Sequence, residues 1–140
     1  MKWIVRVFVF VAALGFGSFA GSLFATDTAA STLTAASLVG TWEGNFGRDL
    51  GACTIEITRA EGDFVYGTLE KEGYLIRFEG YFNPKTRRVY IEETSVLRLA
   101  AHGGEWSLGR NSAIVAADGR TLTGDGYDRW GQYYWSASSY

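Results

Sequence analysis

Few residues in this 140-residue chain have a type suited to acid–base, nucleophilic or metal chemistry, and their spacing assigns most of them to structure. Cys53 is the only cysteine and His102 the only histidine. In an oxidising compartment Cys53 has no partner for an internal disulfide. It lies in phase with Ile55 and Ile57 and reads as a small buried hydrophobe, with an intermolecular disulfide as the alternative. Leu50-Gly51-Ala52-Cys53 has the letters of a bacterial lipidation box, but a charged loop separates it from the apolar segment that such a box must follow. His102 sits in the Gly-rich stretch Ala101-His102-Gly103-Gly104-Glu105. Zinc needs three or four converging ligands, and no spacing here supplies them. Nor does His102 have a neighbouring nucleophile, and no Gly-x-Ser-x-Gly turn occurs.

The carboxylates read in the same way. Glu92 and Glu93 are adjacent, so on a strand they point to opposite faces and cannot share one acid–base step. Glu43, Glu56 and Glu79 are expected on outward faces. A carboxyl pair across a cleft, as glycoside hydrolysis uses, would have to be brought together by the fold. Asp125-Gly126-Tyr127-Asp128-Arg129-Trp130-Gly131 is acidic and Gly-rich but too poor in regularly spaced oxygen ligands for a calcium loop; it reads as a hairpin. The expectation is a protein that is not an enzyme, without a cofactor or a metal, leaving an unrecognised hydrolase as the residual option.

Aromatic residues are the stronger signal. They make up 16% of the chain, and Tyr127, Trp130, Tyr133, Tyr134, Trp135 and Tyr140 fall within its last 14 residues. Large rigid rings suit either a core or a stacking surface for a sugar or an aromatic ligand. Trp42, Tyr66, Phe78, Trp106, Trp130 and Trp135 are the expected pocket or core residues of a ligand-binding fold. Tyr133 and Trp135 are expected inward and Tyr134 outward.

Elements that would position these residues follow from period-two alternation. In Leu38 to Phe46, Leu38, Gly40, Trp42, Gly44 and Phe46 share one face. Cys53 to Arg59 alternates cleanly. Glu61-Gly62-Asp63 turns the chain into Phe64 to Leu69. Tyr74 to Phe82 puts Tyr74, Ile76, Phe78 and Phe82 on one face, and Asn83-Pro84-Lys85-Thr86 ends it, since proline presets φ and asparagine caps the bend. Arg88 to Leu99 carries Val89, Ile91 and Leu97 in phase. A short strand is expected over Glu105 to Leu108, another over Ser112 to Ala116 before an Asp118-Gly119 hairpin, then one through Leu122, Gly124 and Gly126, and a last one over Gln132 to Ser138. Eight to nine short strands with tight turns and no helix give an all-β fold. A small antiparallel up-and-down β-barrel of about eight strands is the expected closure, because it leaves no open edge.

The stretch Leu38-Val39-Gly40-Thr41-Trp42, followed by a Gly-containing loop, a strand and Gly62-Asp63-Phe64-Val65-Tyr66-Gly67-Thr68-Leu69, resembles the opening of the calycin-type barrels, the avidins and lipocalins. The resemblance covers about a third of the domain. It implies a barrel whose floor is closed by the Gly-x-Trp strand, and binding of a small ligand. It does not extend to the later tryptophan-bearing strands that would line a biotin pocket.

Ahead of the barrel, Met1 to Arg6 is a short basic start, Val7 to Leu14 an unbroken apolar run, and Gly15 to Ala25 an uncharged continuation rich in small residues. Residues 1–25 read as a signal peptide, with a retained signal anchor as the alternative, since 19 uncharged residues suffice to cross a bilayer. Residues 26–37 read as a Thr/Ala/Ser linker and residues 38–140 as the domain. Either reading puts the domain outside the cytoplasm: secreted or periplasmic, or membrane-anchored and facing outward.

Formal net charge is -2, and without Lys2 and Arg6 the chain has 11 basic residues against 15 acidic. Such a balance disfavours nucleic acid, which needs a basic face. The expected function is an exported binding module for a small apolar or aromatic ligand. The alternative is a cell-envelope structural or interaction protein, or a protein inhibitor, acting through its surface on a protein partner.

Overall fold

The alternating stretches become eight strands: β1 Gly40–Phe46, β2 Gly51–Glu61, β3 Phe64–Lys71, β4 Tyr74–Asn83, β5 Arg88–Arg98, β6 Arg110–Val115, β7 Thr121–Asp128 and β8 Gly131–Ser139. The computed structural model describes residues 32–140. The expected signal peptide or anchor, and the linker as far as residue 31, lie outside the described residues. Each strand pairs antiparallel with the next, and β8 returns to β1, closing an up-and-down barrel. Eight strands enclose an interior just wide enough for side chains to fill, and here they fill it. Trp42, Phe78, Phe82, Ile76 and Leu122 are all fully buried inside. Burying one such side chain contributes roughly 1.5–3 kcal/mol.

The strand expected from Leu38 opens at Gly40. The residues before it, Ala35–Leu38, form a 3-10 turn in which Ser37 N–H donates to the Thr34 carbonyl at 3.0 Å. Ala35 and Leu38 are buried against β2 and β3 and plug the end of the barrel where β1 starts. Trp42 sits just above. Its indole N–H donates to the Leu38 carbonyl at 2.9 Å, so the largest core side chain buries no unpaired donor.

The opposite end is the mouth. There β1 leads into the loop 47–50, β3 turns into β4 at Glu72-Gly73, β5 connects to β6 through residues 99–109, and β7 turns into β8 at Arg129-Trp130.

Three expectations are corrected. Tyr66 was assigned to the interior, but β3 buries Val65, Gly67 and Leu69 and places Tyr66 on the outer face. The reason is Gly67: the Glu56 carbonyl oxygen and the Phe78 ring occupy the space where a side chain would stand. Outside, the Arg59 guanidinium lies 4.1 Å from the centre of the Tyr66 ring. Leu97 was expected in phase with Ile91 but is exposed. In β5, Glu93 faces Phe78, Ser95 faces Arg77, Val96 faces Ile76 and Arg98 faces Leu75, so Thr94 and Leu97 are extra residues. Each such bulge shifts the alternation by one. The Thr94 hydroxyl donates to the Arg77 carbonyl at 3.2 Å, and Thr58, the extra residue of β2, does the same to Tyr66. Finally, Glu105 to Leu108 is not a strand. Positive φ at Gly103 (76°) and Gly104 (111°) turns the chain, and this segment crosses the mouth as loop.

Barrel closure depends on close backbone approach at two inward-phase glycines. A Cβ at Gly44 would stand 1.8 Å from the Ser136 carbonyl oxygen of β8, and one at Gly124 would stand 1.8 Å from that of Ser112 in β6. Neither obstacle is a flexible side-chain tip. Gly44→Ala is therefore expected to destabilise the barrel by about 1–3 kcal/mol, the usual range for overpacking. Exposed Thr41→Ala on the same strand should change stability by less than about 0.5 kcal/mol. Urea denaturation of the two variants checks the contrast.

Candidate functional site

The mouth holds a pocket of about 230 Å³. The end of β1 supplies Phe46, the following loop Arg48 and Asp49, β3 its last residue Lys71, β5 Glu93, the loop 99–109 Glu105, Trp106 and Ser107, and the β7–β8 hairpin Asp128, Trp130 and Tyr133. Aromatic rings form much of the wall. Phe46 and Trp106 are near parallel, 19° apart with centroids 6.3 Å apart, and Phe46 meets Tyr133 at 5.1 Å. Trp106 also packs on Tyr74 at 5.3 Å, and His102 stands edge-on to Tyr74 at 5.7 Å.

Charges at the rim come in pairs. Arg48 holds Asp128 with both guanidinium nitrogens, at 2.6 and 3.2 Å, and donates to the Gly131 carbonyl at 2.7 Å. Burial pulls the Asp128 carboxyl upward, but Arg48 and the Trp130 N–H outweigh it and hold the group below its ordinary range. The inward-phase Lys71 ammonium pairs with Asp49 and holds that carboxyl low. Glu105 pairs with Arg129 at 2.5 Å, and Arg129 lies 4.3 Å from the centre of the Trp130 ring.

Glu93 differs from all of these. It is 5% exposed and forms no salt bridge among the described residues. Its partners are neutral donors: Trp106 Nε1 at 2.7 Å and Gly109 N–H at 3.0 Å to Oε2, and Asn111 Nδ2 at 3.1 Å to Oε1. The Glu93 N–H also donates to the Gly109 carbonyl at 3.0 Å. One residue thus ties both ends of the segment 106–109 to the barrel wall. Burial raises the Glu93 carboxyl above its ordinary range. The three donors oppose that rise, and the like charge of Asp128 adds to it. Burial, then the charges of Glu93 and Asp128, push the Tyr133 phenol up as well, so it stays protonated.

Beneath Glu93 lies a void of about 10 Å³ bounded by Phe78, Trp135, Glu93 and Asn111 among others. A void of that size holds at most about one water. Asn111 is 6% exposed, and its Oδ1 accepts no hydrogen bond among the described residues.

Of the six expected site residues, the structure brings together Trp106 and Trp130 at the mouth. Trp42, Phe78 and Trp135 are core, and Tyr66 is outside. The residues that sequence reasoning missed are Glu93, Asn111 and the Arg48–Asp128 fork. Glu93 had a legible signal, since it continues the inward phase of Val89 and Ile91. Cys53 is buried, and burial pushes its thiol up to about 11. No cluster of His, Cys, Asp and Glu among the described residues has the geometry to hold a metal ion.

No protein-family model, curated protein or solved structure matches this chain.

Glu93 makes stability depend on pH with a definite sign. Its folded pKa lies above the unfolded value of about 4.3, so the folded state binds the proton more tightly. That contribution is complete below the unfolded pKa and is lost as pH rises through the folded one. Asp49 and Asp128, shifted the other way, act oppositely and only towards acid pH. Glu93→Gln removes the ionisation while keeping an acceptor for Trp106 and Gly109, and a flip of the Asn111 amide gives the new NH₂ an acceptor in Oδ1. The variant is expected to lose the fall in Tm that Glu93 should give the wild type as pH rises from the unfolded pKa through the raised folded one, and to be the more stable of the two above the folded pKa. Thermal melts across that range decide it.

Proposed function

We propose that this protein is a small-ligand binding module whose site is the mouth of the barrel, not its interior. The observation that carries this reading is Glu93: a buried carboxyl without a cationic partner, held by three neutral donors at the floor of an aromatic-walled pocket. Burying such a group costs stability unless it is well paired, and perturbed titratable groups in concave sites mark binding or catalysis. The pocket is smaller than the roughly 300–1,000 Å³ typical of drug-sized ligands, which favours a ligand with one ring or a short chain. The filled interior supports placing the ligand between Phe46, Trp106, Trp130 and Tyr133. The domain acts outside the cytoplasm, delivered there by residues 1–25 as a signal peptide.

The hydrolase alternative draws on the same pocket, where Glu93 is shifted up and Asp128 down. Both Asp128 oxygens are already engaged by Arg48, which leaves that carboxylate poorly placed to attack or to activate water, so binding stands first. A surface-acting interaction protein has one observation in its favour. Phe64, Tyr81 and Tyr90 face one another across β3, β4 and β5, all exposed, beside an outer groove of about 350 Å³.

An NMR titration of the ¹⁵N-labelled protein with a library of single-ring compounds separates the two. Mouth binding is expected to shift the indole N–H signals of Trp106 and Trp130 and leave that of Trp42 in place. Trp106→Ala should weaken binding about tenfold or more, and Tyr66→Ala should leave it unchanged. Shifts confined to Phe64, Tyr81 and Tyr90 would overturn the mouth reading.

A further inference from the structure

The charge ledger of the mouth goes further than ligand size and, resting on the proposed pocket, names the ligand's chemistry. Three rim pairs, Arg48–Asp128, Lys71–Asp49 and Arg129–Glu105, are each internally neutral. What remains is Glu93. Glu93 forms no salt bridge among the described residues, and the charge that acts on it, that of Asp128, has its own sign. A carboxylate offers about four lone-pair sites. Oε2 accepts from Trp106 and Gly109, whereas Oε1 accepts only from Asn111. Glu93 Oε1 is therefore the acceptor with capacity to spare, and Glu93 lines both the mouth pocket and the small void beneath it that Asn111 also bounds. Around it stand the rings of Phe46, Trp106 and Tyr133, whose faces attract a cation and whose bodies accommodate apolar carbon.

We infer that the mouth pocket selects a monocationic amine, whose ammonium donates to Glu93 Oε1 while its apolar or single-ring body lies among Phe46, Trp106 and Tyr133. An anion is disfavoured, because it would meet Glu93 with all three rim cations already engaged. A neutral ligand of the same shape keeps the ring contacts but forgoes the charge-assisted hydrogen bond, which is about twice as strong as a neutral one. The three donors around Glu93 hold the carboxylate in place before the ligand arrives, so little ordering is left to do on binding.

The test uses three probes of nearly equal shape: phenethylammonium, 2-phenylethanol and phenylacetate. Each is titrated at neutral pH into the wild-type protein and into Glu93→Gln, following tryptophan fluorescence and the Trp106 indole N–H signal. The ammonium is expected to bind the wild type about tenfold or more tighter than the alcohol, and phenylacetate more weakly than either. Glu93→Gln is expected to erase the preference, so that ammonium and alcohol bind the variant about equally. Ammonium affinity for the wild type should fall at acid pH, as Glu93 takes up its proton, and alcohol affinity should not. Equal binding of ammonium and alcohol by the wild type, or a preference for phenylacetate, would overturn the amine inference and leave the pocket standing. Failure of all three probes to perturb Trp106 at millimolar concentration would overturn both.

Discussion

Where β8 meets β1, two backbones approach so closely that only hydrogen fits between them. Gly44 faces Ala137 and Cys53 across its two neighbouring strands, and the Ser136 carbonyl occupies the place of its missing side chain. A flat sheet has no need of such contact; a small closed barrel does, because eight strands must coil tightly to join. Closure at that radius leaves room inside for side chains and little else. Trp42 and the 3-10 turn seal one end. The concave surface lies at the other end, where the mouth loops and strand ends converge.

At that end the same economy governs a charge. An interior this tight has no water to spare for a carboxylate, so Glu93 is solvated by the protein: an indole, a backbone N–H and an amide. Two of these donors lie on the segment crossing the mouth, so the polar demand of one buried side chain fixes the position of Trp106. The rim pairs act differently. Each has at least one partner open to solvent, and they serve chiefly to cancel one another, leaving Glu93 as the feature a ligand would sense.

Much of this was legible in the amino-acid sequence. Clean alternation in Cys53 to Arg59 and Tyr74 to Phe82, the Gly62-Asp63 and Asp118-Gly119 turns, and the proline at position 84 sufficed for the strand order and the barrel, because those signals are local. The misplacements have non-local causes. Tyr66 and Val65 offered two equally apolar phases, and the choice was made by Phe78, on another strand, filling the space over Gly67. Leu97 lost its phase to bulges that have no signature short of the threonines that patch them. Trp106 was read as strand because its role, donating to a carboxylate thirteen residues earlier, depends on a loop path that alternation does not describe. Glu93 was read for its adjacency to Glu92, although the phase of Val89 and Ile91 already pointed it inward. The pocket is made by residues from five separate parts of the chain, which no spacing rule connects.

The burial of Cys53 has a consequence for the life of the chain before it folds. Its thiol, pushed up to about 11 and shut behind β2, is chemically silent once the barrel closes, since the thiolate is the reactive form. In the unfolded chain the same thiol is ordinary and open to oxidants and to other thiols. In an oxidising medium folding and oxidation would therefore compete for one atom. There the lone cysteine would act as a timer on assembly, any covalent dimer marking a chain that closed its barrel too slowly.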